Sequence, residues 1–93
     1  MKTLEKMYLI LTDRFAAQHL DIKDESERHS THTGARQKGG GHYQMTIVSL
    51  QFEGKDLLER HKMIYAALAS ELKGEIHALG VKAYTPQEWE KMQ

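Results

Sequence analysis

The 93-residue chain contains no cysteine. It therefore has no disulfide and no thiol nucleophile, and it cannot build a metal site from its own thiolates. Its formal net charge is zero with the histidines neutral, so the molecule as a whole has no electrostatic attraction to nucleic acid or to a membrane. It also lacks the run of about 18 apolar residues that a membrane span requires, and its charged first residues do not resemble a signal peptide. We expect a soluble, cytoplasmic, single-domain protein.

Histidine supplies the only plausible soft ligands of this chain, because imidazole nitrogen suits zinc, copper, nickel and iron. Two of the histidines lie in a polar segment between Glu25 and His42, in which Ala35 is the only apolar residue. A loop of this length inside a small domain is typically functional or mobile. The six histidines are His19, His29, His32, His42, His61 and His77.

Apolar spacing predicts the order helix, strand, strand, helix, strand, helix. Capping-box signals mark the starts of two helices: Asp56 is followed three residues later by Glu59, and Thr85 by Glu88. The predicted helices cover about 3–17, the stretch after Gly54 as far as 73, and 86–92, and the predicted strands cover 20–23, 43–48 and 79–84. By this reading His19 ends the first helix and His42 begins a strand as an ordinary surface residue.

The long second helix has apolar residues at steps of four, three, four and four, which is the spacing of one helical face. His61 falls on that face, so we expect it to be packed, with Arg60 and Lys62 directed outward. The residues of this stripe are Leu57, His61, Ile64, Leu68 and Leu72.

Several segments together resemble the BolA family, and the resemblance covers most of the chain. They are Ile47-Val48-Ser49, Phe52-Glu53-Gly54, the run from Arg60 to Tyr65, Leu68-Ala69-Ser70-Glu71-Leu72, Ile76-His77-Ala78-Leu79 and Thr85-Pro86-Gln87-Glu88-Trp89. The resemblance implies a class II KH-like α/β (α+β) fold, ordered helix-strand-strand-helix-helix-strand-helix. It implies a mixed three-stranded sheet covered on one face by helices. The long helical stretch would then be two helices, divided between Ala67 and Ser70, a break that the apolar spacing does not show.

BolA-like proteins partner monothiol glutaredoxins and share a 2Fe-2S cluster with them, with glutathione on the partner's side. The resemblance assigns His77 as one ligand of the cluster, and His29 of the polar loop as the second, with His32 as a close rival. Taken as a residue alone, His77 is more often a structural histidine at a helix–strand junction, and the loop histidines could be solvated; the resemblance is what favours ligation by His77. Since the chain has no thiolate, a partner would have to complete the four-ligand set of such a cluster.

The family also has a role as DNA-binding transcriptional regulators, which gives an alternative function. Gly54 and Lys55 form a turn at the place where KH domains clamp a nucleic-acid backbone, and Arg60 and Lys62 follow it. The full Gly-X-X-Gly signature is missing, and nearby acidic residues dilute the positive charge, so solvated surface remains the other reading. No nucleophile, carboxylate pair or cofactor fingerprint occurs at a convincing spacing. We therefore expect a binding protein and not an enzyme.

Overall fold

The computed structural model describes residues 1–26 and 41–93. The predicted ligands His29 and His32, and with them most of the polar loop, lie outside these residues. Within the two described ranges, no helix is long and apolar enough to cross a membrane. The elements are α1 (Thr3–Phe15), β1 (His19–Asp24), β2 (Gly41–Val48), a 3-10 turn (Leu50–Phe52), α2 (Leu57–Ala67), α3 (Ala69–Leu72), β3 (Ile76–Tyr84) and α4 (Pro86–Met92).

The three strands form one mixed sheet in the order β1-β2-β3. β1 pairs antiparallel with β2, and β2 pairs parallel with β3. Alternate strand residues turn to a helix-covered face, which we call the core face; the opposite side is the open face. This is the mixed α+β architecture that the resemblance implied. The fully or nearly buried residues of the core are Met7, Leu11, Phe15, Ile22, Tyr43, Met45, Ile47, Phe52, Ile64, Leu68, Ile76 and Ala83.

The long helical stretch is divided at Leu68, as the resemblance implied. Leu68 leaves helical geometry with φ −103° and ψ 18°, yet its side chain is fully buried and its N–H still donates to the Ile64 carbonyl at 3.0 Å. Because the buried apolar spacing runs on through the break, the sequence pattern could not show it.

Helix α1 ends at Phe15, two residues earlier than predicted. Ala16 takes the left-handed conformation (φ 47°, ψ 47°), and its N–H donates to the Thr12 carbonyl. The Ser49 hydroxyl then donates to the Phe15 carbonyl at 2.7 Å, which satisfies an acceptor at the end of the helix. The prediction that His19 ends this helix is wrong, because His19 is the first residue of β1.

The predicted buried side of α2 is confirmed at Ile64 and at Leu68, which ends the helix, both fully buried, but it is wrong in the first half of the helix. His61 is exposed, whereas Arg60 is only 7% exposed, so the expectation of a packed His61 and an outward Arg60 is wrong. Leu57 and Leu58 are 70% and 63% exposed, because the first turn of α2 does not pack into the core. Arg60 can be buried since its guanidinium donates to the Ala83 carbonyl and the Glu88 carboxylate.

Candidate functional site

His77 lies at an irregularity in the pairing of β2 with β3. Gly41 is the partner of Ile76, but the next residue, His42, is the partner of Ala78. His77 is therefore the extra residue of a β-bulge. Bulges re-aim side chains and occur next to functional sites, and they are rare between parallel strands.

The bulge decides which face of the sheet His77 occupies. Leu79 and Val81 pack against the core and Ala83 lies within it, so unbroken alternation would also turn His77 inward. With the extra residue, Ile76 takes the core position at 3% exposure, and His77 is exposed to solvent. The sequence could place His77 near the start of the strand, but not on this face.

The imidazole of His77 lies beside that of His42, with ring centroids 5.1 Å apart and ring planes at 51°. The backbone of His42 is fixed from both sides. Its N–H donates to the Ser26 hydroxyl at 3.1 Å, and its carbonyl accepts from the Glu25 N–H at 2.7 Å. Sequence reasoning treated His42 as ordinary surface, and only the register of β2 and β3 shows that the two rings meet.

Glu75 fixes the chain just before β3. Its carboxylate accepts from the Thr3 hydroxyl at 2.7 Å and from the Lys6 ammonium at 3.1 Å. These hydrogen bonds, with Thr3 the larger cause, lower the pKa of Glu75. Its carbonyl accepts from the Gly41 N–H at 3.0 Å. The start of β3 is thus tied to α1 and to β2, which positions the backbone of His77.

Gly41 is required by close packing at the start of β2. A Cβ atom at this position would lie 2.5 Å from the ring of Tyr43, a distance that real Cβ contacts do not reach. The Tyr43 ring is buried, and burial is the main cause that raises the pKa of its hydroxyl. Gly41 and Tyr43 together therefore fill the core beneath the pair of histidines.

The described residues can offer at most a small share of the ligands of a metal group. Within residues 1–26 and 41–93, no set of three or more histidine, cysteine, aspartate or glutamate side chains is arranged to hold an ion. A 2Fe-2S cluster takes four protein ligands, in the Rieske case two of them histidine. His77 and a neighbouring imidazole fit part of such a set. Because the chain has no cysteine, any thiolate ligand would have to come from another molecule, so these residues fit a shared group better than a resident one.

The chain turns at Gly54 and Lys55, where a nucleic-acid contact was predicted, and the Lys55 N–H donates to the Phe52 carbonyl at 3.1 Å. Gly54 has a positive φ of 76°, and both residues are exposed, as is Lys62 on the outer side of α2. Arg60 is held differently. Its Nε donates to the Lys55 carbonyl at 2.9 Å, and its two terminal nitrogens reach the Glu88 carboxylate at 2.7 and 3.2 Å. Arg60 therefore supports the turn from inside, with its guanidinium occupied by Lys55, Ala83 and Glu88.

The outer edge of β3 is protected by side chains of α2. The Tyr65 hydroxyl donates to the Leu79 carbonyl at 3.1 Å, and the His61 Nε2 lies 3.3 Å from the Val81 carbonyl. Arg60 donates to the next alternate carbonyl, that of Ala83, at 2.9 Å. Capping an edge in this way discourages pairing with another strand. His61, a residue of α2, therefore contacts β3 at Val81 and not at His77.

Comparison with known proteins gives one consistent result. The family model described as BolA-like protein matches residues 11–88. The chain is 38% identical over 93 residues to the "DNA-binding transcriptional regulator BolA" of Escherichia coli, covering all of this chain and 85% of that protein. It is 44% identical over 90 residues to "Protein BOLA2" of Arabidopsis thaliana, covering 96% of this chain and 85% of that protein.

Solved structures agree with the sequence comparisons. The structure of BolA1 from Arabidopsis thaliana matches with a TM-score of 0.81 at 30% identity, over 95% of this chain and 96% of that one. The matched part of the chain covers most of the Escherichia coli and Arabidopsis relatives, but only about half the length of the mammalian proteins named BolA-like protein 1.

Proposed function

The chain belongs to the BolA family, and from this we propose that it is a cytoplasmic adaptor in iron–sulfur cluster assembly or iron sensing. In this role it forms a heterodimer with a monothiol glutaredoxin, bridged by a 2Fe-2S cluster. It is a binding protein and catalyses no reaction of its own.

The position of His77 is the observation that carries this proposal. The bulge turns its imidazole away from the core and into solvent, where a partner-bound metal could reach it. The inward position at this point of the strand is filled by Ile76, which is 3% exposed, so the ring of His77 is not part of the core. A neutral imidazole is a known ligand of iron in Rieske-type clusters.

The partner follows from what the chain lacks. It has no cysteine, and the described residues bring no third ligand to His77 and His42. The thiolates of the proposed cluster come from the cysteine of the glutaredoxin and from glutathione bound on that side. His29, or its rival His32, remains the proposed second ligand from the loop between β1 and β2.

Co-purification with a monothiol glutaredoxin tests the proposal. We expect a coloured heterodimer with one copy of each chain, and His77→Ala should change its visible spectrum or make the cluster more labile. His19→Ala is the matched control, because His19 is also a histidine of the sheet but is stacked on Trp89; this variant should leave the spectrum unchanged. Failure to form a coloured complex, or a spectrum that is the same with and without His77, would overturn the proposal.

A second function, DNA binding, is favoured by the exposed turn and by the name of the Escherichia coli relative, which is called a DNA-binding transcriptional regulator. The positive φ of Gly54 leaves Lys55 on a projecting turn at the start of α2, and Lys62 lies on the outer side of the same helix. These lysines could contact phosphates. Arg60 takes no part in this proposal because the protein itself occupies its guanidinium.

Duplex binding at several salt concentrations tests this second function. Each lost phosphate contact should lower the slope of log affinity against log salt by about 1, so Lys55→Ala and Lys62→Ala should each have this effect. Lys82→Ala, an exposed lysine of the open face, should have none. If no binding to duplex DNA is detected near physiological salt, the free protein does not have this function.

A further inference from the structure

We propose that His42 and His77 together form a two-imidazole site for a divalent ion of the late first-row transition metals, with Zn²⁺, Ni²⁺ and Cu²⁺ as the expected ions. This chain would bind such an ion without a partner. The inference does not depend on the proposed cluster, and it concerns a residue, His42, that neither the sequence patterns nor the family resemblance singled out.

The spacing of the two rings fits one shared ion. A zinc–nitrogen distance of about 2.0–2.1 Å with tetrahedral angles places the centroids of two bound imidazoles roughly 5 Å apart. The observed separation is 5.1 Å. The planes are tilted by 51°, which differs from the 24° stack of His19 on Trp89, so the pair is not held together as a stacked aromatic contact.

Both histidines are held on fixed backbone, which reduces the ordering that an ion must impose. The main chain of His42 is held by two hydrogen bonds: its N–H donates to the Ser26 hydroxyl, and its carbonyl accepts from the Glu25 N–H. The bulge fixes the face of His77, and the Glu75 contacts with Thr3 and Lys6 hold the residues before it. The site therefore sits on paired strands, the kind of support that keeps ligand geometry within narrow limits.

The coordination left open points to an exposed, exchangeable site. His77 is exposed, and among the described residues no third histidine, cysteine or carboxylate completes a set. Nitrogen ligands of this kind favour copper and nickel over manganese according to the usual order of affinities. Mn²⁺ should therefore bind much more weakly than Cu²⁺ or Zn²⁺.

Calorimetric titration of the full chain with Zn²⁺ tests the site directly. We expect His42→Ala and His77→Ala each to weaken Zn²⁺ binding at least tenfold. His61→Ala is the matched control, since His61 is exposed and lies on α2 outside the pair; its affinity should stay within twofold of that of the unchanged chain. The double variant His29→Ala/His32→Ala should also retain binding. If binding is lost in this loop variant but kept in His42→Ala, the proposed site is wrong.

Electron paramagnetic resonance of bound Cu²⁺ is a second test, because it counts the imidazole nitrogens coupled to the ion. The unchanged chain should show couplings to two imidazole nitrogens, and each single variant should show one. Should His42→Ala not fold, Zn²⁺ added to the ¹⁵N-labelled unchanged chain must shift the ring-nitrogen signals of both His42 and His77, and a shift of only one would overturn the pair. These experiments contain no glutaredoxin, so a result that refutes the two-imidazole site would not bear on the proposed adaptor function. An adaptor that failed to form its cluster would equally leave the Zn²⁺ result standing.

Discussion

The two ends of the open face both present an exposed histidine, but with different neighbours. At one end, His19 of β1 stacks on Trp89 with centroids 4.7 Å apart and planes at 24°, and Tyr84 lies 5.8 Å from the same indole. At the other end, His77 is exposed beside another imidazole. The residue type is the same, so the neighbours decide the role. His19 lies flat against an indole and serves packing, whereas His77 stands on a bulge beside a second imidazole and is available to a ligand.

The tryptophan end is built into the fold by α4. Thr85 caps this helix, its hydroxyl accepting from the Glu88 N–H, and Pro86 stands in the first turn. Glu88 then pairs with Arg60 of α2 at 2.7 Å. At the histidine end, by contrast, the exposed ring of His77 contacts another imidazole. We therefore expect changes at the tryptophan end to affect stability, and changes at the histidine end to affect binding.

The largest expected effect is at Arg60, whose side chain is 8% exposed. Arg60→Ala removes the partner of Glu88 and leaves the Ala83 carbonyl without its donor. Breaking a buried pair costs about 3–5 kcal/mol, and since the Glu88 side chain is 47% exposed, we expect a loss nearer about 2 kcal/mol in urea unfolding. Lys62→Ala, on the exposed side of the same helix, should change stability by less than about 0.5 kcal/mol. A loss of that small size for Arg60→Ala would mean that the ion pair does not anchor α4.

An intermediate effect should separate the two ends directly. His19→Ala removes an aromatic contact with Trp89, and such contacts are worth about 0.5–1.5 kcal/mol. His77→Ala removes an exposed ring, so its unfolding free energy should change by less than about 0.5 kcal/mol. Urea unfolding monitored by the fluorescence of the single tryptophan measures both. If His77→Ala proves the more destabilising of the two, the division into a structural and a binding end is wrong.

The smallest expected effect is a pH dependence at the tryptophan end. The hydrogen bonds from Arg60, and next that from the Thr85 backbone, lower the pKa of Glu88 from 4.5 to about 2. Because the folded pKa lies below the unfolded one, the stabilising contribution is complete above pH 4.5 and is lost as the pH falls toward 2. Glu88→Gln should therefore reduce the loss of stability between these two pH values. Parallel acid limbs for the two proteins would show that Glu88 is not responsible for it.

The fold was predictable to the extent that local signals agree with it. The caps at Asp56 and Thr85 lie where their side chains predicted, each with its box glutamate three residues on, because capping depends on neighbouring residues only. The end of α1 was misplaced because Ala16 adopts a left-handed conformation that nothing in its side chain signals. The break at Leu68 was known from the family resemblance alone.

The site was predictable only in part, since it depends on contacts between distant residues. His77 was named by family resemblance, but its exposure results from a bulge relative to β2. The neighbouring ring of His42 is 35 positions away in sequence, and no local pattern joins the two. The burial of Arg60 and the exposure of His61 were predicted the wrong way round for a similar reason. Arg60 is buried by two distant partners, Ala83 on β3 and Glu88 on α4.

The most direct test of the central claim is pulsed electron paramagnetic resonance of the reduced heterodimer with a monothiol glutaredoxin. Only this chain would carry ¹⁵N-labelled histidine. We predict a ¹⁵N coupling to the cluster that disappears in His77→Ala and persists in His19→Ala. A cluster with no histidine coupling, or one whose coupling survives the loss of His77, would contradict the assignment of the exposed bulge histidine as a metal ligand.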